Sequence, residues 1–151
     1  MSETPAGTPT HTTSSALLTL ETVEGAGLRF DVRIDRFGMT LDSGPEAQAP
    51  SPIQAVLAAL GGCTAMDVIS ILRKKRQQVT GYEVVVNAER RMNEHPRVYT
   101  KIEVVHRVRG RDISPAAVEE AVRLSDTKYC AVHAMLGPGV PIASRCEIVP
   151  E

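Results

Sequence analysis

The sequence predicts an α+β fold, with a small antiparallel β-meander, a long central helix, a β-hairpin, two shorter helices and a closing strand. Two periodicities predict it: apolar and polar residues alternate in the segments read as strands, and apolar residues recur at helical spacing in the others. No repeat or linker interrupts residues 16–151, so we expect one domain there. Residues 1–15 are rich in Thr, Ser, Pro and Gly and are predicted to form a disordered tail.

The composition is ordinary for a globular protein and argues against several classes of partner. The formal net charge of -1 gives no general attraction to nucleic acid, and an aromatic content of 3% without Trp leaves few side chains on which bases could stack. The first residues lack the charged start and apolar stretch of a signal peptide. The longest apolar run, Ala55–Leu60, is far shorter than a membrane span. We therefore expect a cytoplasmic protein with no nucleic-acid or membrane partner.

The N-terminal meander is predicted from three short segments. Residues 17–23 alternate between apolar and polar side chains, as a half-buried strand does. After a glycine-rich turn, residues 30–34 alternate again, and a second turn over residues 36–38 leads to a third strand over residues 39–41.

A long helix is predicted from Ile53 to about Arg76. Ser51 is a typical N-cap, and Pro52 suits the first helical position. The first half of the helix is apolar on nearly every face, and a chain of 151 residues offers too few other elements to cover it. We therefore expect the helix to lie between the sheets of two subunits, in an intertwined homodimer with a large twofold interface.

The remaining elements follow from the same patterns. Residues 82–91 and 98–108 alternate and are joined by a polar loop, which predicts a hairpin. Ser114 and Pro115 begin a helix that runs to about Leu124, and a third helical segment over residues 129–136 ends before Gly137. Residues 140–149 form the closing strand.

Three cysteines are an odd number, which argues against a secreted disulfide framework. Cys63 follows Gly61 and Gly62, and each glycine inside a helix costs about 1 kcal/mol relative to alanine. Such a pair indicates a close approach by another element or a kink. Cys130 lies in the first turn of a predicted helix, where the helix dipole favours a thiolate. Cys146, in the last strand, is assigned to packing.

Other polar residues near the cysteines admit several roles. His133, three residues after Cys130, would serve as a proton acceptor, as part of a Cys-x-x-His metal site with Cys63, or as a plain interfacial histidine. The last is favoured, and we expect no metal and no cofactor. Asp67 shares a helical face with Cys63 and would disfavour a thiolate if close, so a hydrogen bond to a neighbouring helix is its favoured role. His106 is read as an ordinary strand residue.

Two segments resemble the cysteine motifs of the OsmC/Ohr family. The first, residues 49–72, contains Gly-Gly-Cys-Thr-Ala around Cys63 and is similar to a branch with a Gly-Gly-Cys-Thr/Ser-Ala signature. The second, residues 126–136, reads Asp-Thr-Lys-Tyr-Cys-Ala-Val-His-Ala-Met-Leu around Cys130. The order of predicted elements also agrees, so the resemblance extends over about residues 17–149.

The resemblance implies a thiol-dependent reductase of organic hydroperoxides. In the family the first cysteine, here Cys63, attacks the O–O bond and becomes a sulfenic acid. The second, here Cys130, condenses with it to a disulfide, which a dithiol reductant such as a lipoylated protein reopens. An arginine of the meander stabilises the thiolate in peroxidatic members, and Arg33 is favoured slightly over Arg29 for this role.

The sequence departs from the family pattern at one position. Peroxidatic members hold that arginine with a glutamate directly after the helix-opening proline, where this chain has Ile53 and Gln54. Two hypotheses follow. The chain is either a peroxide-reducing thiol protein, or a non-catalytic or small hydrophobic-ligand-binding protein of the same fold.

Overall fold

The computed structural model describes residues 7 and 10–151 of the chain. Residues 1–6, 8 and 9 of the predicted disordered tail lie outside the described residues. Contacts divide the chain into two compact units, one ending at Pro52 and one starting at Ile53. The α+β class is confirmed. The elements in chain order are β1 (Ala16–Leu20), β2 (Phe30–Ile34), β3 (Phe37–Leu41), α1 (Pro52–Lys74), β4 (Gln78–Arg90), β5 (Tyr99–Arg111), α2 (Pro115–Leu124), a π-helical turn (Ser125–Tyr129), α3 (Ala131–Leu136) and β6 (Ile142–Val149).

The N-terminal unit is the predicted antiparallel meander, with β2 between β1 and β3. Strand β1 ends at Leu20 and not at Val23. Strand β3 begins at Phe37, because Asp35 and Arg36 form the second turn, slightly earlier than predicted. Asp35 adopts a φ of 54°, a left-handed conformation that aspartate tolerates because its side chain bonds to nearby backbone groups.

The C-terminal unit contains a second sheet of strand order β4-β5-β6. Strands β4 and β5 form the predicted hairpin, whereas β6 pairs with β5 in parallel. A parallel pair needs a crossover connection, and α2, the π-helical turn and α3 supply it. The crossover packs Cys130 against Ile102 and Val104 of β5.

Helix α1 buries one stripe of side chains at helical spacing. The buried members are Leu60, Gly61, Thr64, Val68 and Leu72. The stripe joins two hydrophobic clusters: Leu60 belongs to the one that contains Cys130, and Val68 and Leu72 belong to one with residues of β5 and α2. The core of the C-terminal unit therefore lies between α1, the sheet and the crossover.

The other faces of α1 are incompletely covered by the single chain. Ala58 and Ala59 are exposed, and Met66 is 73% exposed. By length and composition α1 is also apolar enough to cross a membrane, a test that core helices of soluble proteins pass as well. The short run Ala55–Leu60 therefore understated the apolar length of this helix.

The two glycines before Cys63 differ in their surroundings. A Cβ added at Gly61 would lie 2.9 Å from Cγ2 of Val86 in β4, whereas one added at Gly62 would meet nothing of the described chain within 4 Å. Gly61 therefore provides the predicted close approach between α1 and the sheet. Helix α1 runs unbroken from Pro52 to Lys74.

This asymmetry predicts opposite effects of two alanine substitutions. Both Gly61→Ala and Gly62→Ala gain about 1 kcal/mol of helix propensity, but only Gly61→Ala presses a methyl group on Val86, at a typical overpacking cost of about 1–3 kcal/mol. We expect Gly61→Ala to unfold at lower denaturant concentration than Gly62→Ala, measured by circular dichroism at equal protein concentration. Equal midpoints would show that Val86 moves to accommodate the added methyl group without loss of stability.

Candidate functional site

The structure brings Cys63 and Cys130 together. Cys63 is half-buried on α1, and Cys130 is 3% exposed at the junction of the π-helical turn and α3. Their Sγ atoms and a carboxylate oxygen of Asp67 all lie within 4.8 Å of one another. The sulfurs lie in the apolar cluster around Leu60, so the site is a thiol pair with an adjacent carboxylate in an apolar setting.

Cys130 is the N-cap of α3, and its Sγ accepts a hydrogen bond from the backbone N–H of His133 at 3.4 Å. Burial raises the pKa of the Cys130 thiol to about 11, against the lowering effect of that N–H group. Cys63 and the charge of Asp67 raise the pKa further. The expectation that the helix start would favour a Cys130 thiolate is therefore outweighed by desolvation.

The carboxylate of Asp67 is held by a buried hydroxyl pair. Ser125 Oγ donates to Asp67 Oδ2 at 2.9 Å, and the Thr64 and Ser125 hydroxyls are 2.8 Å apart. Thr64 and Ser125 are 1% and 0% exposed. Ser125 opens the π-helical turn, and its carbonyl accepts the backbone N–H of Cys130 at 2.9 Å. The predicted hydrogen bond of Asp67 to a neighbouring helix is confirmed. Thr64 belongs to the Gly-Gly-Cys-Thr-Ala motif, whereas Ser125 was not singled out by the sequence.

The backbone N–H of His133 is the group of this residue that bonds to Sγ of Cys130. Its Nδ1 lies 3.3 Å from Oδ1 of Asp126. The spacing of the two sulfurs and the Asp67 oxygen would admit a thiophilic ion, but a closed zinc centre takes a fourth protein ligand. The histidine that the sequence offered for a metal site faces Asp126 instead, so the arrangement is better described as a thiol pair.

The two candidate arginines have partners within the N-terminal unit. Arg33 lies in β2 with its side chain 61% exposed, and its Nε is 3.7 Å from Oδ2 of Asp31. Arg29 directly precedes β2, with its Nε 2.7 Å from Oε2 of Glu21 and its Nη1 donating to Gln48 at 3.1 Å. Arg29 is therefore the more firmly held of the two.

The start of α1 agrees with the departure seen in the sequence. The first turn of α1 contains no acidic residue. Tyr99 Oη donates to the carbonyl of Ile53 at 2.8 Å, which ties this turn to β5. A carboxylate for an arginine is therefore not supplied by this part of the helix.

A second buried polar pair lies in the C-terminal sheet. His106 is fully buried, and its Nδ1 is 2.7 Å from the Tyr82 hydroxyl. Burial lowers the pKa of His106. The interpretation of His106 as an ordinary strand residue therefore missed a core histidine. Cys146 packs in the cluster of Val68 and Leu72, apart from the cluster that holds Cys63 and Cys130, as its assignment to packing predicts.

Comparisons with known proteins agree on the family and on the architecture. The family model described as OsmC-like protein matches residues 44–145, which include both site cysteines. Protein YhfA of Escherichia coli K12 is 48% identical over 109 residues, which cover 72% of this chain and 81% of that protein.

Solved structures share the fold over most of the chain. A hypothetical protein from Aquifex aeolicus VF5 is 28% identical, with a TM-score of 0.82 over 93% of this chain and 99% of that one. The organic hydroperoxide resistance protein OhrB of Bacillus subtilis has a TM-score of 0.61 and 14% identity over 90% of this chain and 98% of that one. At that identity the likeness to OhrB shows the fold alone.

The burial of Cys130 predicts a thiol that stays protonated well above neutral pH. In a Cys63→Ser, Cys146→Ser variant, the ultraviolet absorbance of the thiolate should appear with a midpoint above the ordinary value of 9.0, because burial, the largest cause of the raised pKa, remains. The same titration with Cys130→Ser added gives the tyrosine background. A midpoint at or below 9.0 in the folded protein would show that the helix start outweighs burial.

Proposed function

Since this chain belongs to the OsmC-like protein family, we propose that it is a thiol-dependent redox protein that reduces organic hydroperoxides with Cys63 and Cys130. The observation that carries the proposal is the separation of at most 4.8 Å between the two sulfurs. A disulfide bond is about 2.05 Å long, so the two sulfur atoms must move closer together for the bond to form.

The reaction has two steps that balance within the chain and its substrate. The sulfur of Cys63, as a thiolate, attacks the O–O bond of the hydroperoxide and takes its terminal oxygen with its hydrogen. The alkoxide leaves and takes from solvent the proton that Cys63 lost on ionising, which gives an alcohol. Cys63 is thereby oxidised to a sulfenic acid. The sulfur of Cys130 then displaces the hydroxyl group as water and forms the disulfide, which an external dithiol, such as a lipoylated protein, reduces.

The order of the two cysteines follows from their exposure. Cys63 is half-buried, whereas Cys130 is 3% exposed and has a raised pKa. The peroxide therefore reaches Cys63 first, and Cys130 acts as the resolving thiol. The two thiols must be kept reduced between cycles, which fits a cytoplasmic protein.

The substrate class follows from the apolar surroundings of the sulfurs. The residues packed around them include Leu57, Leu60, Val132 and Leu136. Such a lining favours fatty or aromatic hydroperoxides over hydrogen peroxide, since their apolar parts leave water on binding.

An arginine from the meander is part of this proposal. Arg33 is favoured by its place within the second strand, whereas Arg29 lies closer to its carboxylate partner, Glu21, than Arg33 lies to Asp31. A guanidinium beside Cys63 would favour its thiolate. Glu21 would then take the role of the family's helix-start glutamate, whose place in this chain is occupied by Ile53 and Gln54.

A second candidate function is the binding of a small hydrophobic ligand without catalysis. The absence of an acidic residue from the first turn of α1 favours it, because the family's arrangement for ionising the first cysteine is incomplete there. In this case Cys63 and Cys130 would line an apolar binding site. Reaction of the thiols with peroxide separates the two candidates.

The working unit under this proposal is a homodimer. Large apolar side chains are exposed on this chain, with Met66 of α1 at 73%, Leu17 at 66% and Phe37 at 61%. Exposed large apolar side chains in each unit favour contact with a partner. A second copy of the chain would cover α1 in an obligate interface, which is typically more hydrophobic than a transient one.

Peroxide reduction predicts a loss of about two thiols per chain on addition of stoichiometric cumene hydroperoxide. The loss should be rapid in a Cys146→Ser variant and abolished by Cys63→Ser, because Cys63 supplies the nucleophile. Cys130→Ser should stop at the sulfenic acid. Thiols are counted with a chromogenic disulfide under denaturing conditions, after treatment of the protein with a chelator.

Cys146→Ser is the matched control, because Cys146 packs in the other cluster. If the thiol count of the reduced wild-type protein stays unchanged in the presence of peroxide, the redox proposal is rejected and the ligand-binding function stands.

The dimer predicts a sedimentation mass near twice 16.3 kDa at micromolar concentration. Met66→Glu should shift the protein toward monomer or aggregate, because it places a charge in the proposed interface. Met92→Glu is the control: Met92 is 54% exposed and follows β4 in the hairpin loop. A monomeric wild-type protein would contradict the homodimer.

A further inference from the structure

Closing the disulfide poses a problem of proton transfer. The Cys130 thiol must lose a proton as its sulfur attacks, and the hydroxyl on Cys63 must gain one to leave as water. Burial raises the pKa of Cys130 to about 11, so the thiol is neutral near pH 7 and needs a proton acceptor. Among the described residues, no Lys or Arg side chain lowers the pKa of Cys130.

We propose that Asp67 is the proton shuttle of this step: its carboxylate accepts the proton of the Cys130 thiol as the S–S bond forms and delivers it to the hydroxyl leaving Cys63. The inference rests on the proposed function. One water is released, the two sulfurs end as a disulfide, and the carboxylate ends ionised as it began. No further reactant is needed.

The position of Asp67 suits both transfers. One of its carboxylate oxygens lies within 4.8 Å of the Sγ atoms of Cys63 and of Cys130. Asp67 follows Cys63 by one turn of α1, so the helix itself keeps the two side chains on one face. The carboxylate therefore borders the place where the proton leaves and the place where it is needed.

The hydroxyl pair gives this carboxylate a fixed orientation. Ser125 has a single hydroxyl proton and donates it to Asp67, so the hydroxyl of Thr64 is the donor to Ser125. Both hydroxyls are buried, and each has an acceptor for its proton, Ser125 for Thr64 and Asp67 for Ser125. The chain of bonds holds one oxygen of Asp67 and leaves acceptor capacity for the thiol.

Other polar groups near Cys130 are engaged elsewhere or are donors only. His133 offers Cys130 its backbone N–H and turns its ring to Asp126. Tyr99 of β5 gives its hydroxyl to the carbonyl of Ile53. The titratable groups nearest to Cys130 along the chain are Asp126, Lys128 and Tyr129 of the π-helical turn and His133 of α3, and Cys63 and Tyr99 belong to the same apolar cluster.

The negative charge of Asp67 has the opposite effect on a neighbouring thiol to that of an activating arginine. A carboxylate beside a sulfur disfavours a resting thiolate, and Asp67 contributes to the raised pKa of Cys130. It assists only while the proton is moving. Asp67 therefore belongs to the resolution step and not to the ionisation of Cys63.

The test separates sulfenic acid formation from disulfide closure. In a Cys146→Ser background, a 1,3-diketone that traps sulfenic acid reports the first step, and mass spectrometry of quenched samples reports the disulfide. Asp67→Asn should form the sulfenic acid at least as fast as the background protein, because it removes a charge that disfavours the Cys63 thiolate, but it should close the disulfide about 100-fold more slowly, as expected for loss of a general base. Asp126→Asn, which leaves the thiol pair and Asp67 intact, should close at the wild-type rate.

The pH profile distinguishes a shuttle from a structural role. In the background protein, the rate of disulfide closure should vary little with pH near neutrality. In Asp67→Asn it should rise about tenfold per pH unit toward the pKa of Cys130, because hydroxide must then remove the proton. Asp67→Glu should restore part of the closure rate at neutral pH.

Two outcomes would overturn the shuttle. Closure at an unchanged rate and pH profile in folded Asp67→Asn is one. If that variant does not fold, Ser125→Ala is the deciding variant, because it keeps the Asp67 carboxylate but removes the hydrogen bond that orients it. A slower rate of disulfide closure with a flat pH profile supports the shuttle. An unchanged rate rejects it. Failure of the background protein to form any sulfenic acid would instead reject the proposed function.

Discussion

The packing of helix α1 against the C-terminal sheet is the contact on which the site depends. Gly61 lets the helix approach Val86 closely, and the next turn of the same buried stripe carries Thr64. Cys63 is thereby fixed at the level of the crossover that carries Cys130. A wider spacing between the helix and the sheet would move Cys63 away from Cys130.

Burial has a cost at this site as well as a use. It brings the sulfurs into an apolar cluster, but it also raises the pKa of Cys130. A dry site favours neutral thiols, so a redox role requires groups that move protons or stabilise charge. Asp67, held by Ser125, is the charged group that the C-terminal unit places at the sulfurs.

The N-terminal unit contains the two arginines considered for stabilising a thiolate. Its arginines are paired with carboxylates of their own unit, Arg29 with Glu21 and Arg33 with Asp31. The substitution of the helix-start glutamate by Ile53 therefore does not leave the arginines without acidic partners.

The sequence by itself determined the elements and their order, because alternation and helical periodicity are local properties of the chain. It also identified Cys63 and Cys130, since their motifs are contiguous. Only the tertiary structure placed Ser125 beside Asp67 and buried His106 against Tyr82. It also reversed the expected effect on Cys130, because desolvation depends on residues distant in sequence that pack around the sulfur, whereas the helix start is visible from the next few residues alone.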